Sequence, residues 1–193
     1  MRRLKAKQEA IESEPMNLSD DAKRAFSIQD YSSRPAIKDV EIVELARFND
    51  DGGSMTELGR LNEGAHAQLS GFVVKQVNYS EIEPGAIKAF HLHERQTDVW
   101  FVPPGDKCLL VLIDVRAGSP TEGAKMRVIL GDGRSRLLRI PPGVAHGCRN
   151  LAPTRGRIIY FTDLHFSPAP DACDEGRLPW DYAGADIWQV VRG

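Results

Sequence analysis

The feature that most constrains the fold is a series of short apolar runs that begins at residue 37. These runs are rich in Val, Ile, Leu and Phe, and residues typical of turns separate them, as between the strands of an antiparallel sheet. Clear turn sequences occur at 103–106, 131–133 and 141–143. We therefore predict an all-β fold, an antiparallel sandwich or barrel in which residues 71–163 form one jelly roll. The predicted strands are 40–48, 72–79, 87–93, 99–102, 108–115, 125–130, 136–140, 147–151 and 157–163.

The two ends of the chain differ from this strand-rich region. Residues 1–36 are polar and are expected to form an N-terminal arm, partly helical or flexible, in which Ser19 or Asp20 is suited to capping a short helix. Residues 37–193 are expected to form a single domain, because a chain of 193 residues corresponds to about one domain. From residue 175 onward, a tail that contains Trp180 and Trp188 is expected to form a loop and a short helix on the barrel.

The charge balance and the cysteines exclude several classes of partner and compartment. Lys plus Arg number 25 and Asp plus Glu 27, so the net charge is -2 and there is no general basic field for nucleic acid. The chain has no run of about 18 apolar residues, so we expect no membrane span. The basic N-terminus lacks the apolar stretch of a secretory signal. Three cysteines without metal-type spacing indicate reduced thiols in the cytoplasm.

Three of the five histidines lie in two short segments with a characteristic spacing. His91 and His93 are two residues apart on a predicted strand, so both rings leave the same face. In the second segment, His146 follows the turn at 141–143. These segments resemble the two cupin motifs, with Asp98 where a glutamate is usual. The resemblance implies a cupin-type jelly-roll barrel with the histidines in its mouth.

The cupin resemblance leaves a metal site open. Three imidazoles and one carboxylate suit a divalent transition metal such as Fe, Mn, Ni or Zn, with one or two positions left for a substrate. In this chain the ligands would be His91, His93, Asp98 and His146. The other interpretation of these side chains is a polar pocket that holds no metal.

Six further stretches between residues 76 and 181 follow a second, longer pattern. They lie at 76–80, 85–91, 114–123, 140–147, 158–162 and 175–181. In order and spacing they resemble the dTDP-4-dehydrorhamnose 3,5-epimerase family, a cupin branch that works without metal. The Ser-Pro-Thr sequence at 119–121 and the Ala-His-Gly sequence at 145–147 favour this branch over cupins in general. The resemblance implies an isomerase of deoxysugar and polysaccharide biosynthesis that inverts C5, C3 or both in a nucleotide-linked 4-keto-6-deoxyhexose, without a cofactor.

The resemblance also implies roles for individual residues. His91 matches the family's base, and an imidazole titrates near neutral pH, which suits proton removal. Tyr160 matches the family's acid, and His146 is a candidate donor to the C4 oxygen. Lys88 stands where the family has an arginine, and would hold the diphosphate or the sugar oxygens. The other expected substrate-binding residues are His93, Asp98, Asn78 and Arg116.

Several positions depart from the family pattern. Asp98 replaces a pocket lysine, and a carboxylate cannot stabilise an enolate, although it can orient or charge a histidine. The aspartate that orients the family's base has no clear match here, and Asp186 is the only late candidate. Gly52 stands where a nucleotide-binding arginine is usual, and His165 and Phe166 stand where tyrosines are common. A related nucleotide sugar, or inversion at a single centre, therefore fits better than the rhamnose-pathway reaction itself.

Two other functions stay open at this point. One is a metal-dependent cupin oxygenase or isomerase that uses the three histidines and Asp98, and the other is a sugar-binding cupin without turnover.

The family resemblance also implies a homodimer, packed sheet on sheet. Phe90 and Leu92 are expected on the face opposite the histidines, with Trp100 on the neighbouring strand, and such an apolar surface needs a cover. That cover is either a partner subunit or the chain's own residues 37–60.

Overall fold

The computed structural model describes residues 16–28 and 36–191, and the chain divides into two units, residues 1–33 and 34–193. In the first unit, the α-helix α1 spans Asp20–Ala25. Ser19 caps this helix as predicted, since its hydroxyl accepts a hydrogen bond from the backbone N–H of Ala22 at 3.3 Å. Residues 1–15 and 29–35 of the predicted arm lie outside the described residues. None of the helices in the described parts of the chain has the length and apolar character needed to cross a membrane.

The second unit is built from antiparallel strands. In chain order they are β1 (Glu41–Glu44), β2 (Arg47–Asp50), β3 (Gly53–Thr56), β4 (Leu61–Asn62), β5 (Ala65–His66), β6 (Gln76–Ile82), β7 (Ile87–Leu92), β8 (Asp98–Phe101), β9 (Lys107–Asp114), β10 (Lys125–Gly131), β11 (Arg136–Ile140), β12 (Val144–Asn150), β13 (Gly156–Thr162) and β14 (Gly176–Arg177). A 3₁₀-helix, Ala185–Trp188, follows.

Ten of these strands form two five-stranded sheets. The order is β1-β11-β8-β13-β6 in the first sheet and β10-β9-β12-β7-β14 in the second, and β2–β3 and β4–β5 are separate hairpins. The architecture confirms the predicted all-β jelly roll.

Every predicted strand overlaps an observed one, and the differences have local causes. The predicted strand 40–48 is two strands, β1 and β2, because the chain leaves the first sheet after Glu44. The strand predicted from residue 72 begins at Gln76, because Phe72 is buried in the loop before it. Strands β3, β4, β5 and β14 were not predicted because they have two to four, mainly exposed residues and carry little apolar alternation.

The main core lies between the two sheets. Strand β9 is apolar on both faces because both faces are buried. Leu110 and Leu112 point inward and pack with residues of the first sheet such as Leu138. Leu109 and Val111 point outward into a second cluster. A third cluster, around Leu69, Phe72, Val99, Phe101, Leu137 and Phe161, covers the first sheet.

The outer face of the second sheet is covered by the chain's own C-terminal tail. Phe90 is fully buried against Trp188, with ring centroids 5.2 Å apart, and exchanges two backbone hydrogen bonds of 3.1 Å with Leu178. Trp100 belongs to the other sheet and points into the barrel, where its indole N–H donates to Asp98. Phe90 and Leu92 therefore lie on the outer face as predicted, but Trp100 does not share that face. The predicted cover, a partner subunit or residues 37–60, is wrong for Phe90, because the C-terminal tail covers it.

Candidate active site

A cavity of about 730 Å³ lies between the two sheets, within the usual size range of small-molecule sites. One wall consists of side chains from β6, β8 and β13 of the first sheet, and the other of side chains from β7, β12 and β14 of the second. Most of the predicted site residues line it together, namely Asn78, Lys88, His91, His93, Asp98 and Tyr160.

Strands β7 and β12 bring two histidines into contact. His146 is opposite His91 in the strand pairing, and the two rings stack with centroids 5.8 Å apart. Gly147 permits this close approach, because a Cβ at this position would lie 2.4 Å from the Cβ of Ala89. A larger residue would therefore separate the strands and disturb the ring contact.

His91 lies between two charged side chains of the C-terminal segment, a carboxylate and a guanidinium. Its Nδ1 is 3.7 Å from a carboxylate oxygen of Glu175, and its Nε2 is 2.7 Å from Nη1 of Arg177. Burial lowers the pKa of His91, as do the charges of His146 and Arg177, and only Glu175 acts in the opposite direction. His91 is therefore neutral near pH 7, with the Nε2 lone pair facing a guanidinium N–H.

Tyr160 lies on the opposite wall of the cavity from His91. It is on β13, paired with Trp100 of β8 and Asn78 of β6, whereas His91 is on the other sheet. Burial raises the pKa of Tyr160, and the negative charges of Asp98 and Glu175 raise it further. The phenol therefore stays protonated near neutral pH and is available as a proton donor.

Asp98 is a buried carboxylate between two histidines. Its Oδ2 is 3.4 Å from Nε2 of His146 and 3.8 Å from Nε2 of His93, while Trp100 donates to Oδ2 and Gln96 to Oδ1. Burial alone would raise the pKa of Asp98, but the contacts with His146, His93 and Trp100 outweigh it and lower the pKa to about 2. Asp98 is thus ionised.

Both nitrogens of His146 face protein atoms. Its Nδ1 is 3.0 Å from the carbonyl of Val144, and its Nε2 points at Asp98. This orientation does not favour the expected donation from His146 to a substrate oxygen. Asp98 contacts His93 and His146, whereas the carboxylate beside His91 is that of Glu175.

Lys88 and Asn78 stand on the two sides of the cavity. The ammonium of Lys88 on β7 donates to Ser80 and to the carbonyl of Glu81 on β6, at 3.2 and 2.6 Å, and its side chain is exposed. Asn78 accepts a hydrogen bond from Gln76 at 2.8 Å. An exposed cation at this position is suited to an anionic group of a ligand.

Arg116 lies outside the cavity. Its Nε and Nη2 donate to the two oxygens of Asp114 at 2.8 and 2.9 Å, and it also contacts Asp39. Asp114 further accepts from the hydroxyls of Ser119 and Thr121 at 2.6 and 2.7 Å. The hydrogen bond from Arg116 is the main cause that lowers the pKa of Asp114. Arg116, Asp114 and the two hydroxyls form a structural hydrogen-bond network. Arg116 therefore does not lie with the other predicted binding residues.

Comparison with known proteins gives the family. The model of the dTDP-4-dehydrorhamnose 3,5-epimerase family matches residues 34–187, which is most of the chain. The chain belongs to this family. The spore coat polysaccharide biosynthesis protein SpsL of Bacillus subtilis is 41% identical over 145 residues, covering 75% of this chain and 91% of SpsL. The family is one of epimerases, so the chain is a member of an isomerase family.

Solved structures of the family agree with the fold. A dTDP sugar isomerase from Desulfovibrio desulfuricans has a TM-score of 0.66 and 29% identity, covering 76% of this chain and 88% of that one. An epimerase from Legionella pneumophila, solved in complex with dTDP-4-keto-L-rhamnose, has a TM-score of 0.60 and 26% identity, covering 70% of this chain and 72% of that one.

Two residues beside His91 were not predicted as site residues. Glu175 and Arg177 lie in the stretch 175–181 that carries part of the family resemblance, but that stretch gave them no role. Their proximity to His91 arises because β14 pairs with β7, with Arg177 opposite His91. A two-residue strand that joins positions 86 residues apart leaves no signal in the sequence pattern. Asp186, the expected late candidate, lies on the 3₁₀-helix instead.

Proposed function

We propose that this chain inverts C5, C3 or both of a 4-keto-6-deoxyhexose linked to a nucleoside diphosphate, by acid–base proton exchange. The observation that carries the proposal is the position of His91 and Tyr160 on opposite walls of one cavity. Epimerisation needs a proton removed from one face of the sugar ring and a proton delivered to the other. Two acid–base groups on facing sheets supply that arrangement.

In the proposed reaction, His91 removes the proton next to the ketone. The C–H bond breaks, its electron pair forms the enolate, and the proton goes to Nε2 of His91, which becomes an imidazolium. Tyr160 then delivers its own proton to the opposite face of the same carbon. Solvent takes the proton from His91 and returns one to Tyr160, so the enzyme is restored. All of these steps use side chains of the chain, and we propose no cofactor for them.

Glu175 and Arg177 are proposed to support this exchange. Glu175 faces Nδ1 of His91, so it fixes the tautomer in which Nε2 is the base and stabilises the imidazolium that forms. Arg177 contacts Nε2 before substrate enters, and a bound ketone would offer it a stronger acceptor. We propose that Arg177 then donates to the C4 oxygen and stabilises the enolate, in place of the lysine that Asp98 replaces.

The diphosphate of the substrate is proposed to bind near Lys88. Among the described residues that line the cavity, Lys88 and Arg177 carry a positive charge at neutral pH. The Legionella neighbour binds a dTDP-linked keto sugar, which supports a nucleotide sugar as the substrate class.

We also propose a homodimer in the cytoplasm. The hairpin β2–β3 supports an interface, because Phe48 and Met55 face each other across it and are 59% and 58% exposed. The free thiols of Cys108, Cys148 and Cys173 support a reducing compartment. Light scattering of the wild type and of a Phe48→Ser, Met55→Ser variant tests the interface, and an unchanged dimer in the variant would exclude this hairpin.

The experiment that tests the reaction uses dTDP-4-keto-6-deoxyglucose in deuterated water. We expect the proton NMR signals of C5, C3 or both to disappear and the signals of the inverted sugar to grow. Reduction of the ketone and separation of the products then identify the inverted centre. If substrate is bound but no hydrogen exchanges with solvent, the proposed reaction is contradicted and a binding protein is indicated.

A further inference from the structure

The buried cluster of His93, Asp98 and His146 carries a function beyond proton exchange. All three side chains are at least 96% buried, and their ligand atoms lie within 4.8 Å of one another. Neither the acid nor the base of the proposed reaction belongs to this cluster. We propose that it binds one divalent transition-metal ion, and this site does not depend on the proposed reaction.

The hydrogen bonds of the two histidines fix which nitrogen faces the cluster. Nδ1 of His93 is 2.6 Å from the carbonyl of Asp174, and Nδ1 of His146 is 3.0 Å from the carbonyl of Val144. A carbonyl only accepts hydrogen bonds, so each Nδ1 carries its proton. In a neutral ring, Nε2 then carries a lone pair, and in both histidines this lone pair is directed at the carboxylate of Asp98. Two imidazole lone pairs and a carboxylate oxygen then converge, an arrangement that a cation between them would stabilise.

The spacing favours a metal ion over protons. A charge-assisted hydrogen bond between a protonated imidazole and a carboxylate is about 2.7–2.9 Å long. The observed separations from Oδ2 of Asp98 are 3.4 Å to His146 and 3.8 Å to His93. Ligand atoms about 2.1 Å from a metal lie roughly 3.0–3.4 Å apart at octahedral or tetrahedral angles. The separation between Asp98 and His146 already falls in this range, and that between Asp98 and His93 exceeds it by about 0.4 Å.

A second, independent observation concerns Nε2 of His146. This atom is buried, and none of the described residues makes a hydrogen bond to it. A buried nitrogen without a hydrogen-bond partner is destabilising unless something binds it. The Nδ1–H donations to backbone carbonyls are also the contacts that orient metal-bound histidines. Two imidazoles and a carboxylate suit ions such as Fe²⁺, Co²⁺, Ni²⁺ or Zn²⁺.

The site is accessible and separate from the base. His93 and Asp98 line the cavity, so an ion can enter from it. His91 was part of the four-residue metal set expected from the cupin resemblance, but its nitrogens face Glu175 and Arg177 instead. The structure thus groups three of those four residues. Asp98 stands where the family resemblance implies a lysine, so the cluster departs from the pattern of that metal-free family.

The test is a titration of tag-free, EDTA-treated protein with Co²⁺, followed by visible absorption and by proton NMR. We expect saturation at one ion per chain and two paramagnetically shifted N–H signals, from the Nδ1 protons of His93 and His146. Calorimetry with Zn²⁺ should give the same stoichiometry. The Asp98→Asn and His146→Gln variants should bind more than about 100-fold more weakly, since each loses a ligand. The exposed control His165→Gln should bind like the wild type.

The wild-type titration decides the question even if the variants do not fold. Absence of saturable binding, or of shifted imidazole N–H signals, overturns the proposal. Where circular dichroism shows the variants folded, unchanged affinity in both Asp98→Asn and His146→Gln also overturns it.

Discussion

Replacing Glu175 by glutamine tests whether the negative charge of Glu175 supports His91 as the base. The two side chains have nearly the same shape, so the change removes the charge 3.7 Å from Nδ1 of His91 and little else. At this distance the attraction between a carboxylate and the imidazolium formed in the reaction is about 4.5 kcal/mol at an effective dielectric of about 20, and about 1.1 kcal/mol in bulk water. Glu175 is 32% exposed and His91 22% exposed, which places the pair between these limits.

We therefore expect Glu175→Gln to lose about 2 kcal/mol of transition-state stabilisation, or about 30-fold in kcat. Binding of dTDP measured by calorimetry should not change, because the nucleotide does not depend on the charge of His91. The matched control is Glu83→Gln, an exposed acid paired with Arg155 outside the cavity, which should keep wild-type kcat. A Glu175→Gln variant with wild-type kcat would refute the proposed role of this carboxylate.

Three further predictions concern the cavity and the fold. Arg177→Gln should lower kcat on the order of 10²–10³-fold because its guanidinium stabilises the enolate, and Arg177→Lys should recover part of this loss. Equal kcat values for the two variants in steady-state kinetics would contradict this role. Asp114→Asn should reduce the free energy of unfolding by about 3 kcal/mol in urea titrations, because Arg116 would lose a buried partner. Since the folded-state pKa of Asp114 lies below its ordinary 3.8, the wild type's advantage over this variant is full above about pH 5 and must shrink as the pH falls below about 4; an advantage that does not change with pH would contradict the account. Trp188→Ala should cost about 3–5 kcal/mol by exposing Phe90, and a change below about 1 kcal/mol would show that the tail is not an essential cover.

The strands of the sheets were predictable because their sequences alternate or are continuously apolar. Strand β9 has this character on both faces, and the turn at 141–143 precedes β12. Placing His91 and His93 on the same face followed from the two-residue period of a strand. The pairing of the sheets, and hence the position of Tyr160 opposite His91, required the family resemblance, since strand order leaves no local pattern.

The parts that sequence reasoning missed depend on contacts between distant segments. Glu175 and Arg177 reach His91 only because the tail adds β14 to the second sheet. The prediction for Trp100 was wrong because β8, which follows β7 in the chain, belongs to the other sheet. Asp98 was expected to orient a histidine. That it contacts His93 and His146 depends on the side-chain geometry of β8, of β12 and of the loop that carries His93.

The most direct test of the central claim, that base and acid act from opposite walls, is hydrogen exchange at C5 in deuterated water with Tyr160→Phe and His91→Gln. We expect that Tyr160→Phe still incorporates deuterium, with configuration retained and little inverted product, because His91 removes the proton and can only return one to the same face. We expect that His91→Gln incorporates no deuterium. Inversion by Tyr160→Phe at the wild-type rate, or exchange by His91→Gln, would contradict the account.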